Sequence, residues 1–458
     1  MFAIPGICAL IVFVLTRPQE AFPLLQRIPF LYVFCGLAIF GFVVDLKLRL
    51  LRPSAVPSVP IAVLFLVWLV AVDAAITPPD TLVQRLIEIS VVFLLYIITA
   101  HAVQGFRTLQ LVAATTMLAC LFLTSVGVHQ GLAPLGCVML DEAHPGEGLP
   151  DGRGCVISDD CYGADAEPGA EYECEHVGLF GTTSVEGRVR YRGELQDPNE
   201  LAVTICIGGM SFVLAFATRR RGVRATVGGA AAVLLVFWCI VMTQSRGGQL
   251  VFLAVLGIFF ARKLGWKGIV AGAAFGLVVM SLGGRSGETA NESTELRYEA
   301  WRAGLDMFHS SPLYGVGHRM FSLHHDLTAH NSYVLVMGEL GFVGMVLWLS
   351  MIYISIKIPW QAMRDLRHEP GAEVARAWAL ALLASWVGLC IQMMFLSFAY
   401  HTVLWLFLGL SGALYSSIRR HKPDWTVQFG LRDLAIVAAI CVAFVTVILP
   451  VFLRLKGF

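Results

Sequence analysis

His330 opens the run His330-Asn331-Ser332-Tyr333, where a hydrophilic segment gives way to a long apolar one. A histidine placed there suits a general base. The positive end of a helix dipole disfavours the protonated imidazole and keeps an acceptor nitrogen available near neutral pH. The competing reading is a capping or interfacial histidine, with Asn331 or Ser332 as N-cap of the helix that follows. Glu339 lies a little over two turns into that helix. An ionisable residue within an apolar span is costly and is functional or paired. Gly338, Gly341 and Gly344 around it have an equally good packing role, because small residues let transmembrane helices approach.

Arginines are the second group. Arg246 in Thr243-Gln244-Ser245-Arg246-Gly247-Gly248 stands alone at a tight turn between apolar runs, and Arg297 begins Arg297-Tyr298-Glu299-Ala300-Trp301-Arg302. The latter is the start of an amphipathic stretch running to Phe308 that suits a membrane surface. Arginine offers a planar fork of donors matched to phosphate oxygens, and two such residues can clamp a diphosphate. Taken singly, a headgroup contact or a structural ion pair explains each as well. Asp197-Pro198-Asn199 reads first as a helix start, with Asp197 as N-cap and Pro198 in the first turn. The alternative has Asn199 and Glu200 facing a cavity. Arg188, Arg190 and Arg192 just upstream add positive charge, and Arg192 is assigned with Arg246 and Arg297 to the diphosphate.

Metal ligation has weaker support. His309, His318, His324, His325 and His330 share one segment but have no HxH or HExxH spacing, so no metal is expected. Cys137, Cys155, Cys161 and Cys174 share one hydrophilic stretch, whereas the other seven of the eleven cysteines are scattered through apolar runs. Four cysteines in one exported loop point to two disulfides, with all three pairings open. A four-thiolate metal site is the alternative and lacks tight CxxC pairs. From Asp141 to Glu175 the same stretch holds eleven carboxylates, Asp159, Asp160, Glu171, Glu173 and Glu175 among them. It reads as a solvated, cross-linked lid, and a calcium site would lack EF-hand spacing.

The elements that must position these residues follow from composition. The chain has 458 residues, 57% hydrophobic and 14% charged, with mean hydropathy +0.73. A soluble protein is about 45–50% apolar and about 25% charged. A soluble enzyme is excluded, and the fold class is an all-α polytopic bundle of transmembrane helices. Apolar runs place spans at about 3–16, 28–44, 59–77, 86–104, 107–128, 198–218, 225–243, 247–261, 267–283, 331–356, 376–398, 401–417 and 434–452, close to the roughly 20 residues that cross a bilayer core. Twelve or thirteen spans fit, the short first and last being the weakest. The first has no basic n-region or cleavage site and reads as a retained helix.

Charge sets the orientation. The 33 basic and 32 acidic residues nearly cancel, but the basic ones cluster in alternate loops. These are Lys47, Arg49 and Arg52; Arg219, Arg220, Arg221 and Arg224; Arg262, Lys263 and Lys267; Arg364 and Arg367; and Arg419, Arg420 and Lys422. Such loops stay cytoplasmic. The chain then divides into N-terminal helices (1–129), an exported cysteine-rich acidic insert (130–197), central helices (198–282), an exported catalytic segment with an amphipathic helix (283–330) and C-terminal helices (331–458). No repeat, Walker A, GxGxxG after a strand, GxSxG or HExxH is evident. Any driving energy must arrive with the substrate.

The order Asp197-Pro198-Asn199, Ser245-Arg246-Gly247-Gly248, Arg297-x3-Trp301, Ser311-Pro312-Leu313-x-Gly315-Val316-Gly317, then His330-Asn331-Ser332-Tyr333 with Glu339-x-Gly341-x2-Gly344 resembles the O-antigen ligase and polymerase superfamily. Residue detail covers about 197–348, and the rest matches in hydropathy alone. The resemblance implies a multi-pass bacterial inner-membrane glycosyltransferase with its active site facing the periplasm. It would move a glycan from undecaprenyl diphosphate to a glycan or lipid-core acceptor hydroxyl, without a metal or other cofactor. His330 would then be the base and Arg246 and Arg297 the diphosphate ligands, with Asn331, Glu339 and Asn199 in support. Membrane lipid and a chain-length regulator protein are the further partners expected, and nucleic acid is not one. The cysteine-rich insert departs from the family pattern and bears on the choice of acceptor. A protein O-glycosylation ligase of the same family, and a lipid-linked glycan flippase, are the alternatives. A transporter would carry repeats, broken helices and midplane charges, whereas here the polar residues gather at one face.

Overall fold

The computed structural model describes residues 1–52, 54–140, 148–163, 165–219, 222–281 and 288–458. Arg220, Arg221 and the acidic residues of 141–147 lie outside these. The helices are α1 (Ala3–Thr16), α2 (Phe30–Lys47), α3 (Val59–Ile76), α4 (Pro79–Ala102), α5 (Phe106–Leu132), α6 (Pro198–Arg219), α7 (Val223–Thr243), α8 (Arg246–Leu264), α9 (Trp266–Ser281), α10 (Glu288–Ser310), α11 (Ser332–Asp365), α12 (Glu373–Gln392), α13 (Thr402–His421) and α14 (Leu431–Lys456). Among the described residues, eleven are long and apolar enough to cross a membrane. The shorter α1 and α9 bring the apolar segments to the thirteen expected. At 14 residues, α1 rises about 21 Å, less than the roughly 30 Å hydrocarbon core. The amphipathic stretch from Arg297 to Phe308 lies within α10, which is not among the spans.

Hydropathy and burial run in opposite directions in the last two spans. The span of α13 has mean hydropathy 1.2 and is 94% buried, whereas that of α14 has 3.0 and is 28% buried. A helix surrounded by protein needs small and hydrogen-bonding residues more than it needs lipid-compatible ones. In α13, Gly409 and Gly412 face Thr99 and Ala100 of α4, and Ser411 Oγ accepts the indole N–H of Trp386 at 2.7 Å.

Two compact units can be distinguished. The first comprises Met1–Ile7, Cys35–Val112 and Ser286–Phe458, and the second Cys8–Phe34 and Ala113–Arg285. Within the first, α13 packs on α4, and α11 packs on α3, α10 and α12. Within the second, the start of α6 lies on α8, where a Cβ on Gly248 would come 2.5 Å from that of Ala202. A π-helical turn at Ile205–Met210 is entirely buried.

The insert, also in the second unit, adds three strands to an otherwise helical fold: β1 (Leu135–Leu140), β2 (Gly148–Gly154) and β3 (Tyr172–His176). They form an antiparallel sheet in the order β2-β1-β3. In β2, glycines and Asp151 remove the alternation that signals a strand, whereas β3 retains it. Disulfides join Cys137 to Cys161 and Cys155 to Cys174, one of the three open pairings. Cys137 and Cys174 face each other across β1 and β3, yet each bonds elsewhere.

Candidate functional site

In the first unit the polar residues gather where α10, α11 and the segment between α12 and α13 meet. Asn331 is the N-cap of α11, its side chain accepting the N–H groups of Tyr333 and Val334 at 3.0 and 3.2 Å. The capping role therefore falls to Asn331. His330, half-buried, sits one residue before it with φ of 45°, a left-handed conformation that few residues other than glycine adopt. Its backbone N–H donates to Ser397 Oγ at 3.0 Å. Ser332 locks the same corner: its N–H donates to the Met393 carbonyl at 2.7 Å, its hydroxyl donates to the Leu396 carbonyl at 2.6 Å, and the Phe398 N–H donates to that hydroxyl at 2.8 Å. On α10, Trp301 donates its indole N–H to the carbonyl of Ala329 at 2.9 Å. Arg297 lies one turn earlier on the same helical face, so its helix is fixed beside His330.

Glu339 is buried and held. Its carboxylate accepts the Tyr400 hydroxyl at 2.9 Å and the Phe321 N–H at 3.2 Å. Burial and the adjacent Glu339 carboxylate push the Tyr400 phenol well above its usual value. The segment Ser311–Gly317 docks against α11 here, with Val316 and Gly317 N–H groups donating to the carbonyls of Gly338 and Glu339 at 3.0 and 2.8 Å. A Cβ on Gly315 would sit 2.4 Å from the Glu339 carbonyl, and one on Gly341 would sit 2.4 Å from that of Leu313. Gly341 has φ of 64° and breaks the helix. Backbone contact this close requires glycine at both places. Gly338 and Gly344 have the packing role expected, against Gly304 and Trp68.

His318, the next residue after that segment, is buried and leans on Asp73 of α3. The carboxylate accepts the His318 N–H at 3.1 Å and lies 3.2 Å from Nδ1. The ring packs edge-on against Tyr400, with centroids 4.3 Å apart. Arg85 is 3.8 Å from the carboxylate and donates to the His318 carbonyl at 2.6 Å. Asp73, Tyr400 and Ser397 were not found from sequence. Asp73 carried a usable signal, since it is an ionisable residue in an apolar span just as Glu339 is.

The second unit holds the other candidates. Asp197 caps α6 by accepting the Asn199 N–H at 2.7 Å, and Asn199 Oδ1 accepts the Ser245 hydroxyl at 2.5 Å. Ser245 in turn caps α8, accepting the Gly248 N–H at 2.9 Å. Arg246, exposed, is the first residue of α8 after a left-handed Gln244. Asn199 and the Arg246 turn are thus brought together. Arg192 lies elsewhere in this unit, its guanidinium bonded to the carbonyls of Glu20 and Phe180. The arginine that reaches the Arg246 turn is Arg188, which donates to the Thr243 carbonyl at 3.1 Å. Burial lowers its pKa, opposed by nearby Asp197. Nothing in the spacing of Arg188, Arg190 and Arg192 distinguishes them.

Among the described residues, the one His/Cys/Asp/Glu group close enough to share a metal ion is Cys137, Cys155 and Cys161, and these sulfurs belong to the two disulfides. The histidines of the second hydrophilic segment have separate partners: His318 on Asp73, His324 on the Met320 carbonyl and His325 on that of Leu327.

The helices and these clusters define a multi-pass membrane protein whose polar chemistry is collected at helix starts. Residues 231–349, about a quarter of the chain, match the family model described as O-Antigen ligase. The match supports membership of the O-antigen ligase and polymerase family, and that family implies lipid-linked glycan substrates in general. A comparison with curated proteins gives no match. The matched residues include Arg246, Arg297, His330 and Glu339.

Proposed function

We propose that the protein is an inverting, metal-independent glycosyltransferase acting at the periplasmic face of the bacterial inner membrane. His330 takes the proton of an acceptor sugar hydroxyl, whose oxygen forms a bond to the anomeric carbon of an undecaprenyl-diphosphate-linked glycan. The bond from that carbon to the diphosphate breaks, and its electron pair leaves with the diphosphate. Arg297 and Arg246 stabilise the developing charge, and a single displacement inverts the anomeric centre. A lipid diphosphate is already a good leaving group, so a positioned base and charge stabilisation suffice. The observation that carries this reading is the half-buried His330, held in a left-handed conformation between the Asn331 cap and Ser397, within the matched stretch. Strain of this kind concentrates at functional positions. The periplasmic assignment rests on the basic loops, which leave both long hydrophilic segments on the opposite side.

Ligase and polymerase remain one joint reading. A finished chain would pass to a lipid core, or in a variant to protein; a polymerase would extend a lipid-linked chain by repeat units. Loss of the polymer ladder in a deletion strain marks the polymerase, and accumulated long lipid-linked chains mark the ligase. The decisive experiment supplies purified protein in detergent with a defined lipid-linked oligosaccharide and candidate acceptors, and identifies the product by mass. Transfer without any membrane gradient supports the enzyme; absence of product with every acceptor, alongside gradient-dependent movement in vesicles, would make it a transporter.

A further inference from the structure

A cavity of about 160 Å³ lies wholly within the first unit and is lined by Arg52, Arg419, Arg420, Ser54, Ser416 and Gln104. Three separate parts of the chain converge on it: the segment after α2, the junction of α4 and α5, and the last turn of α13. Gln104 is buried and spends its amide on the backbone of Arg52, accepting the N–H at 3.0 Å and donating to the carbonyl at 2.6 Å. That fixes Arg52 at the cavity. Ser416 bonds Ser54 at 3.1 Å, so two hydroxyls share one wall. Arg419 donates to the Pro423 carbonyl at 3.3 Å and lies over the Tyr415 ring. None of the three arginines forms an ion pair with a described carboxylate, and the neighbouring acid, Glu369, is taken by Lys422.

The negative end of the α13 dipole accounts for cations in its last turn, and the positive-inside tendency accounts for basic loops. Neither accounts for Arg52 being pinned beside them. Three guanidinium groups around one cavity without a counter-charge repel one another, and an anion between them removes that cost. Guanidinium forks and hydroxyls together form a donor set matched to phosphate oxygens. The volume admits a phosphate group but falls below the roughly 300 Å³ at which drug-sized ligand sites begin.

We propose that this cavity is an anion site that binds a phosphate group, carried either on the headgroup of an anionic membrane lipid or as free phosphate. Basic cavities at helix ends bind lipid headgroups in this way. The site is independent of the transfer reaction.

The test uses the full-length protein, delipidated in a neutral detergent. It is titrated separately with dioleoylphosphatidylglycerol and with inorganic phosphate, and the apparent Kd is measured for each. Arg52 and Arg420 are exposed, so Arg52→Gln/Arg420→Gln should fold as the parent does. Each lost charge-assisted contact weakens binding about tenfold, so the double variant should lose about a hundredfold. Arg420→Gln alone should lose about tenfold, which keeps the test open if the pair destabilises the protein. Arg262→Gln/Lys263→Gln, with the same charge change in the other unit, should bind as wild type. Saturable binding of the lipid alone assigns the site to a headgroup, and of phosphate alone to a soluble anion. Saturation by both, with phosphate displacing the lipid, supports the shared chemistry. No saturable binding of either probe, or the same affinity in the Arg52/Arg420 variant as in wild type, overturns the proposal.

Discussion

The insert and the corner around His330 both hold polar backbone in a fixed shape, and they do so by different means. In the insert, Cys137 and Cys161 are buried, and among the described residues Tyr172 is the one other buried member of their cluster. So small a core cannot hold three strands by apolar burial. Two covalent bonds do it instead. Around His330 no cross-link is present among the described residues, and the corner is fixed by Asn331 and Ser332 at the start of α11, Ser397 in the segment between α12 and α13, and Trp301 on α10. Buried hydrogen bonds can set geometry where surrounding helices exclude water. Where the chain leaves that shelter, cross-links take over.

The comparison is broken most sharply at His330. His330→Ala should lower the rate of glycan transfer by about 10²- to 10⁴-fold, the usual worth of a positioned base. The backbone hydrogen bond to Ser397 survives the substitution, and a thermal midpoint near that of the parent shows that the variant still folds. Wild-type transfer by this variant would show that the corner is structural alone. The insert should behave in the opposite way. Replacing Cys155 and Cys174 by serine removes a link that closes 19 residues and should cost about 2–4 kcal/mol of local stability. Limited proteolysis should then cut near β2 much sooner, while His330-dependent transfer to a saturating acceptor persists. Equal loss of transfer in both variants would mean that the insert is part of the catalytic machinery.

A smaller effect is expected one layer behind His330. Tyr400→Phe leaves a buried Glu339 oxygen without its hydroxyl donor, at about 1–3 kcal/mol. In Glu339→Gln the amide oxygen can accept the Phe321 N–H and the NH2 can donate to the Tyr400 hydroxyl, which then reverses its role, so this variant should cost less. Thermal unfolding of the two variants in one detergent gives the order; a Glu339→Gln less stable than Tyr400→Phe would show that the carboxylate charge, and not the hydrogen bond, secures α11.

Much of this contrast was legible in the sequence. Cysteines confined to one hydrophilic stretch announced the cross-linked insert, and thirteen apolar runs located the helices to within a few residues at most ends. The Asp197 cap and the Asn331 cap were readable because capping is local. Partnerships were not. Nothing near Glu339 in the chain points to Tyr400, sixty-one residues away, and nothing near His318 points to Asp73, 245 residues away. β2 was hidden because glycine, proline and Asp151 leave it no alternation, whereas Tyr172-Glu173-Cys174-Glu175-His176 does alternate and carried a usable signal. The break in α11 was half visible, since Gly341 stood out, but the docking of Leu313 against it depends on tertiary contact alone.

The smallest effect belongs to the insert and concerns pH. Asp160 accepts the backbone N–H groups of Val156 and Ile157 at 2.8 and 3.1 Å. These bonds hold its carboxyl below the usual carboxylate value, because they favour the charged form. A depressed folded pKa contributes order that is present above the ordinary carboxylate value and is lost as pH falls through the lowered one. Hydrogen exchange at Val156 and Ile157, corrected for intrinsic rates, should therefore lose protection on the acid side of that range. Asp160→Ala should lack the protection at all pH values and show little pH dependence. Because Asp160 is exposed and the Cys155–Cys174 bond lies beside it, the change should stay local and leave the exchange of α11 as it was. Equal protection in wild type and Asp160→Ala near pH 6 would mean that the disulfide alone orders this turn, which would make the insert still more dependent on covalent bonds than the comparison with the His330 corner already implies.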